Sequence, residues 1–218
     1  MSQPQLTARD EQLVETLLLR VKAMSVAQWQ RASWPQGPDG WRACRIRLER
    51  LAEQGLVELA AGYGVHPSPA TEPLLRWTPG CPAPDLGAVL ANSHARWRAG
   101  SGGEGGSTLS LVEYITAGRN AAARFGYRPA VVRPSELSHD LILTNAFLAT
   151  VGKRPEVARY WKSEWSVPDR REIGGCDAAI VTPGKRVAVE VVGSSYRSDD
   201  LDRLFDWVCA KQWGLELW

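Results

Sequence analysis

Two carboxylates, Asp177 and Glu190, have the residue type and setting for metal chemistry. Asp177 opens a short apolar run, residues 178–181, and Glu190 interrupts a second, residues 187–192. The dipeptide Pro183-Gly184 between the runs is a turn signal, so the segment reads as a β-hairpin with the two carboxylates on adjacent strands. A carboxylate inside an apolar strand is costly unless it is paired, hydrogen-bonded or bound to a metal. Glu190 is therefore the most informative side chain in the sequence. Adjacent carboxylates can share a divalent ion such as Mg²⁺, so Asp177 and Glu190 are the candidate metal ligands. Glu136 or Asp140 would complete the set, and Lys185, Arg197 or His139 would supply a basic group.

The flanking elements must hold that hairpin. Ser138 reads as the N-cap of a helix over residues 139–151, stopped by Gly152. Residues 158–167, with Tyr160, Trp161 and Trp165, read as a strand. After the hairpin, Ser198 caps a helix over residues 199–211 whose Leu201, Leu204, Phe205 and Val208 share one face, and residues 215–218 close with a strand. This order, αβββαβ, resembles the core of the restriction-endonuclease-like superfamily, whose motif is PD…(D/E)xK. Asp177 and Glu190 take its two acidic positions, and Val192 stands where the lysine belongs. The resemblance implies a Mg²⁺-dependent nuclease site with Asp177, Glu190 and His139 as catalytic residues, if the site is active. The missing lysine favours the other reading, in which Glu190 is a structural relic paired with Arg197 or His139 and no cofactor is used.

In the amino-terminal half, Thr7 with Asp10 starts a helix reaching residue 23, with Leu13, Val14, Leu17, Leu18 and Val21 on one face. Ser25 with Gln28 starts a second, shorter helix that ends at Trp34-Pro35. A third, from Gly40, turns Cys44, Leu48 and Leu51 inward and ends at Gly55, and a strand follows from Leu56. Residues 74–78 are expected to return as its partner strand. Three helices and a two-stranded wing resemble a winged helix-turn-helix domain. In that arrangement the third helix enters the major groove. Arg42 and Arg45 then face the bases, Arg47 and Arg50 the backbone, and Tyr63, His66 and Arg76 belong to the wing. Glu49 and Glu53 interrupt a uniform phosphate-binding stripe.

Between the halves, residues 85–98 read as a helix and residues 99–107 as a Gly/Ser-rich linker. Ser110 with Glu113 is expected to cap a further helix ending near Phe125, before an extended connector. The expected fold class is α/β (α+β), with a winged helix over residues 1–80, a helical connector over 81–126 and a restriction-endonuclease-like domain over 127–218. The net charge of +2 is too small for a global attraction to nucleic acid, so any DNA surface must be a local patch. Four scattered cysteines without metal-ligand spacing, no signal peptide and no transmembrane run point to a cytoplasmic protein with reduced thiols.

The winged domain, the segment SELSHDLILTNAFL, the strand YWKSEW and the D…E hairpin together resemble the replication–relaxation family of bacterial proteins. The matching positions are His139, Asp140, Asn145, Glu164, Asp177 and Glu190. Gly174-Gly175-Cys176 replaces the family's proline before the aspartate, and Val192 its acidic or polar residue after the glutamate. The resemblance implies a DNA-binding accessory role in plasmid replication or conjugative mobilisation. Its partners would be double-stranded DNA and a relaxase, replication or transposition protein, with no membrane and with homodimerisation open. A nuclease targeted by its own winged domain is the alternative, and a transcriptional regulator a second one.

Overall fold

The computed structural model describes residues 5–65, 72–99, 109–128, 130–167 and 169–218. The first helix, α1 (Ala8–Leu19), starts at a capping box: the Thr7 hydroxyl accepts from the Asp10 N–H, and the Asp10 carboxylate accepts from the Thr7 N–H. It ends short of residue 23 because Met24–Ser25 is drawn into a sheet as β1. Ser25 and Gln28 form a second capping box at the start of α2 (Val26–Ser33). Helix α3 (Pro38–Glu53) buries Cys44, Leu48 and Leu51, and strand β2 (Val57–Gly64) follows.

From here the chain departs from expectation. Strand β3 (Leu75–Trp77) forms, but its partner is the last strand of the chain, β8 (Gly214–Leu217). The partner of β2 is β4 (Ser110–Ala117), a segment expected to be helical. Its Val112, Tyr114, Ile115 and Thr116 favour a strand, and central placement between β1 and β2 rewards that preference over an isolated S-x-x-E signature. Only Arg119–Phe125 becomes helix, α5. The expected helix over residues 85–98 is present as α4 (Leu86–Ala99). The Gly/Ser-rich linker beyond Ala99 lies outside the described residues.

The carboxy-terminal elements are α6 (Leu137–Lys153), β5 (Trp161–Ser163), β6 (Ala178–Thr182), β7 (Lys185–Glu190) and α7 (Ser198–Lys211) before β8. The strand expected over residues 158–167 shrinks to β5, because a 3-10 turn takes Pro155–Tyr160. Ser138 is not the N-cap of α6: a 3-10 turn over Pro134–Glu136 leads in, and the Ser138 hydroxyl instead accepts from the Val65 N–H at 2.9 Å. Ser198 likewise lies inside α7, where Asp200 accepts from the Arg197 N–H at 3.0 Å.

The result is a mixed α/β molecule with two sheets, one ordered β1-β4-β2 and one ordered β3-β8-β7-β6-β5. In the larger sheet β7 and β8 run parallel, joined through α7, and the other pairs are antiparallel. Val189 and Trp218 face α6, whereas Ala188, Leu215 and Leu217 pack with Trp77, Val208 and Val89 of the α4 and α7 side.

A single core cluster runs from Leu13, Leu17 and Leu48 through Phe147 to Trp161 and Val189, so both sheets close on the same apolar mass. Trp161 is completely buried. Its indole donates to the Arg20 carbonyl at 3.1 Å, and the Arg20 guanidinium donates back to the Trp161 carbonyl at 2.7 Å. Gln28 donates to the Leu141 carbonyl and to Asn145, both at 2.7 Å, tying α2 to α6. Gly62 lets α6 approach the small sheet: a Cβ there would stand 2.9 Å from Leu137. No helix among the described residues is long and apolar enough to cross a membrane.

Arg47 braces this core. It donates to Asp10 at 2.9 and 2.5 Å, joining α3 to the capping box of α1. Burial opposes the charge on Asp10, but Arg47 and Thr7 outweigh it and lower its pKa. We expect Arg47→Ala to lose about 2–3 kcal/mol in urea unfolding at neutral pH, since it strands a buried carboxylate. The wild-type advantage should shrink as the pH falls through the depressed Asp10 pKa. An unchanged midpoint would show that the pair is not a brace.

Candidate functional site

The β6–β7 register sets Ala178 opposite Val189, and that places Asp177 beside Glu190 one step further along. The two carboxylates exchange backbone donors across the strand ends. The Asp177 N–H donates to Glu190 Oε2 at 3.0 Å, and the Val191 N–H donates to Asp177 Oδ2 at 2.8 Å. His139, in the first turn of α6, brings Nε2 within 3.0 Å of the same Asp177 oxygen. The Tyr196 hydroxyl, from the turn after β7, donates to Glu190 Oε1. Beyond His139 the charges continue to alternate: Asp140 Oδ1 lies 3.9 Å from His139 Nδ1 and 3.5 Å from Lys22 Nζ, which also approaches Glu136 at 3.6 Å.

Cys176 and Glu190 are almost wholly buried. Burial first, and then the Asp177 charge, lift the Glu190 pKa well above the usual carboxylate range. Burial also works against a charged His139, but the Asp140 and Asp177 carboxylates beside it outweigh it and raise its pKa to about 10. The Tyr196 hydroxyl and the Cys176 thiol are pushed up by burial and by Glu190. At neutral pH the site thus holds an imidazolium against Asp177 and favours a protonated Glu190.

In this arrangement the protein itself engages the carboxylates. Both Glu190 oxygens and Asp177 Oδ2 already accept protein donors, and the cation beside Asp177 is His139. Among the described residues no group of three or more His, Cys, Asp or Glu side chains is arranged to hold a metal. Glu136 and Asp140 turn to Lys22 rather than completing a ligand set, although Asp140 Oδ2 is buried without a hydrogen bond. Lys185 cannot supply the missing base. It starts the strand that Glu190 ends, about 16 Å away at about 3.3 Å per residue. The expected pairing of Glu190 with Arg197 or His139 is replaced by Tyr196 and the Asp177 N–H, and His139 pairs with Asp177.

Gly174 explains why the segment before Asp177 is glycine-rich. Its φ is +69°, and a Cβ there would stand 1.8 Å from the Trp207 ring, so only glycine lets α7 close on this loop.

The expected DNA-contact residues divide. Arg42 and Arg50 are exposed on α3 and make no ion pair among the described residues. Arg45 is held by Glu113 at 2.5 Å and Glu49 at 3.2 Å. Arg47 is not a backbone contact but the partner of Asp10. Tyr63 is 68% exposed on β2, opposite Leu111 of β4, which is 61% exposed. Arg76 is not a wing residue: it lies in the five-stranded sheet, paired with Glu216 at 3.0 Å. His66 lies outside the described residues. Tyr196 and Lys22 were missed because neither has a spacing relation to Asp177 or Glu190 in the sequence.

His139 and Glu190 both bind a proton more tightly in the folded chain. Their contribution to stability is complete below the unfolded values, about 6.5 for His and about 4.3 for Glu, and is lost as the pH rises. For His139 that loss extends to about pH 10. We expect denaturant midpoints to fall across that interval and the slope to flatten in Glu190→Gln and in His139→Gln. Glu190→Ala, which leaves the Tyr196 hydroxyl and the Asp177 N–H without an acceptor, should cost about 2–4 kcal/mol. A Glu190→Gln slope equal to wild type would mean that Glu190 does not hold its proton. No protein-family model, no curated protein and no solved structure matches this chain.

Proposed function

We propose that this chain is a double-stranded-DNA-binding accessory protein in which a winged helix-turn-helix module is fused to a non-cutting, restriction-endonuclease-like module. The observation that carries the DNA-binding part is the placement of α3. Its inner face is buried, while its outer face, with Arg42, Arg50, Trp41 and Ile46 exposed, lies beside the antiparallel β2–β4 pair that presents Tyr63. A helix and a strand pair side by side can reach a groove and the adjoining backbone together. The wing in this reading is β2 with β4, not β2 with residues 74–78.

The non-cutting part is supported by the engaged oxygens of Glu190 and by Val192, which is wholly buried where the superfamily motif has its lysine. The resemblance of SELSHDLILTNAFL and the D…E hairpin to the replication–relaxation family supports service in plasmid replication or conjugative mobilisation. There the second module would dock a relaxase or replication protein. The alternative, a metal-dependent endonuclease, draws on the adjacency of Asp177 and Glu190 on paired strands.

Anisotropy titrations with a labelled duplex test the proposal. Arg42→Ala with Arg50→Ala should weaken binding by at least about tenfold and reduce the salt slope by about one counterion per lost phosphate contact. Duplex and supercoiled DNA should stay intact with Mg²⁺ or Mn²⁺. Wild-type affinity in the double variant would remove α3 as the DNA reader. Cleavage that disappears in Asp177→Ala would make the nuclease reading primary.

A further inference from the structure

The edge of a sheet presents backbone N–H and C=O groups that a further strand can take up. Among the described residues the edge strands β1, β3 and β5 are two or three residues long. The remaining edge strand, β2, runs for eight residues. It pairs with β4 on one side only, in an unbroken register from Val57↔Ala117 to Gly64↔Ser110, with no bulge to turn the edge away. It holds no proline and a single charge, Glu58. The protections that exposed edges ordinarily carry are missing here.

The phase of the ladder fixes which groups point outward. The Gly118 N–H donates to the Leu56 carbonyl at 2.9 Å, and the β2–β4 register continues from that pair. In an antiparallel pair, inward and outward backbone groups alternate residue by residue. Glu58, Ala60, Gly62 and Gly64 therefore turn theirs to β4, and Val57, Leu59, Ala61 and Tyr63 turn theirs away. No backbone hydrogen bond among the described residues takes up these outward groups. Val57 and Gly64 are buried, so the accessible stretch is Leu59 to Tyr63, centred on Ala61. Tyr63 lies beside Leu111 of β4, and both are exposed on the face where Arg45 of α3 meets Glu113.

We propose that a second copy of this chain adds its own β2 to this edge, antiparallel about a two-fold axis at Ala61. Leu59 then stands opposite the partner's Tyr63, and Ala61 opposite the partner's Ala61, each pair exchanging both N–H···O bonds. The two Tyr63 rings cover the two Leu59 side chains, an aromatic–aliphatic pairing that stabilises sheets. Glu58 meets the partner's Gly64, so no like charges come face to face. An axis at Ala60 would instead set Tyr63 against Val57, which is already buried. The accessible stretch is thus complementary to itself, as an interface closed by a two-fold axis requires. Both α3 helices would lie on one face of the joined sheet. The proposal rests on the β2 edge and not on α3 contacting DNA, so the two readings fail separately.

Sedimentation equilibrium of the full chain, in reducing buffer without DNA, tests it. The mass should rise from 24.0 kDa toward twice that value through the micromolar range and no further, because the pairing uses up the edge. Ala61→Pro removes an outward N–H but no bond to β4, and should weaken the dimer by at least about tenfold. Ala61→Glu brings two new carboxylates together between the two Glu113 side chains, and should weaken it as much, with partial recovery in high salt. Circular dichroism checks that both variants fold, and if the proline variant does not, the glutamate variant carries the test. A chain that stays at 24.0 kDa throughout that range would leave the edge to a strand of another protein and overturn the proposal. Assembly beyond two copies, or a dimer unchanged by Ala61→Glu, would overturn it as well.

Discussion

The exchange between Arg20 and Trp161 is the constraint from which the rest of the arrangement follows. Each residue donates to the other's backbone carbonyl, in a region closed to water. Such an exchange answers buried polar groups that would otherwise be costly, and it fixes the end of α1 against the edge strand β5. Ser163 adds a second donor to the Arg20 carbonyl, and Phe147 meets the Trp161 ring edge-on at 5.3 Å. With α1 held there, α6 is caught between the two sheets, and Gln28 and Thr144 complete its ties to the amino-terminal helices. The first and last parts of the chain consequently share one core, unlike modules joined by a flexible tether.

Fixing α6 also decides the electrostatics of the Asp177–Glu190 edge. The hairpin alone makes two carboxylates neighbours, and two like charges in a buried corner repel. The proton favoured on Glu190 removes most of that repulsion, and the corner is held by backbone N–H donors from each strand to the other's carboxylate, a Tyr196 hydroxyl on Glu190, and an imidazolium delivered by the first turn of α6. The last depends on Asp140 and Lys22 behind it, which extend the alternation of charge to the amino-terminal half. The charges of this corner are thus met by groups of the chain itself.

The same sheet carries a second polar corner, at Glu216. Glu216 is only half satisfied, by Arg76, because β3 enters as an edge strand and brings a guanidinium from a segment remote in the chain. The pairing of β3 with β8, rather than with β2, thus leaves β2 to pair with β4.

What the sequence determined was local. Capping boxes at Thr7 and Ser25, the inward face of Cys44, Leu48 and Leu51, the Pro183-Gly184 turn and the apolar face of α7 all arise within a few residues, where periodicity and side-chain chemistry act directly. The adjacency of Asp177 and Glu190 was legible for the same reason, since a tight turn sets its own register. What only the tertiary structure decided was partnership across long separations. Whether residues 110–117 became helix or strand depended on an open edge between β1 and β2. Whether Arg47 and Arg76 faced solvent or a carboxylate depended on Asp10 and Glu216, which lie far away in sequence. Even the identity of the group that takes Glu190's oxygens followed from where α7 begins, because burial makes any acceptor costly until the fold supplies a donor.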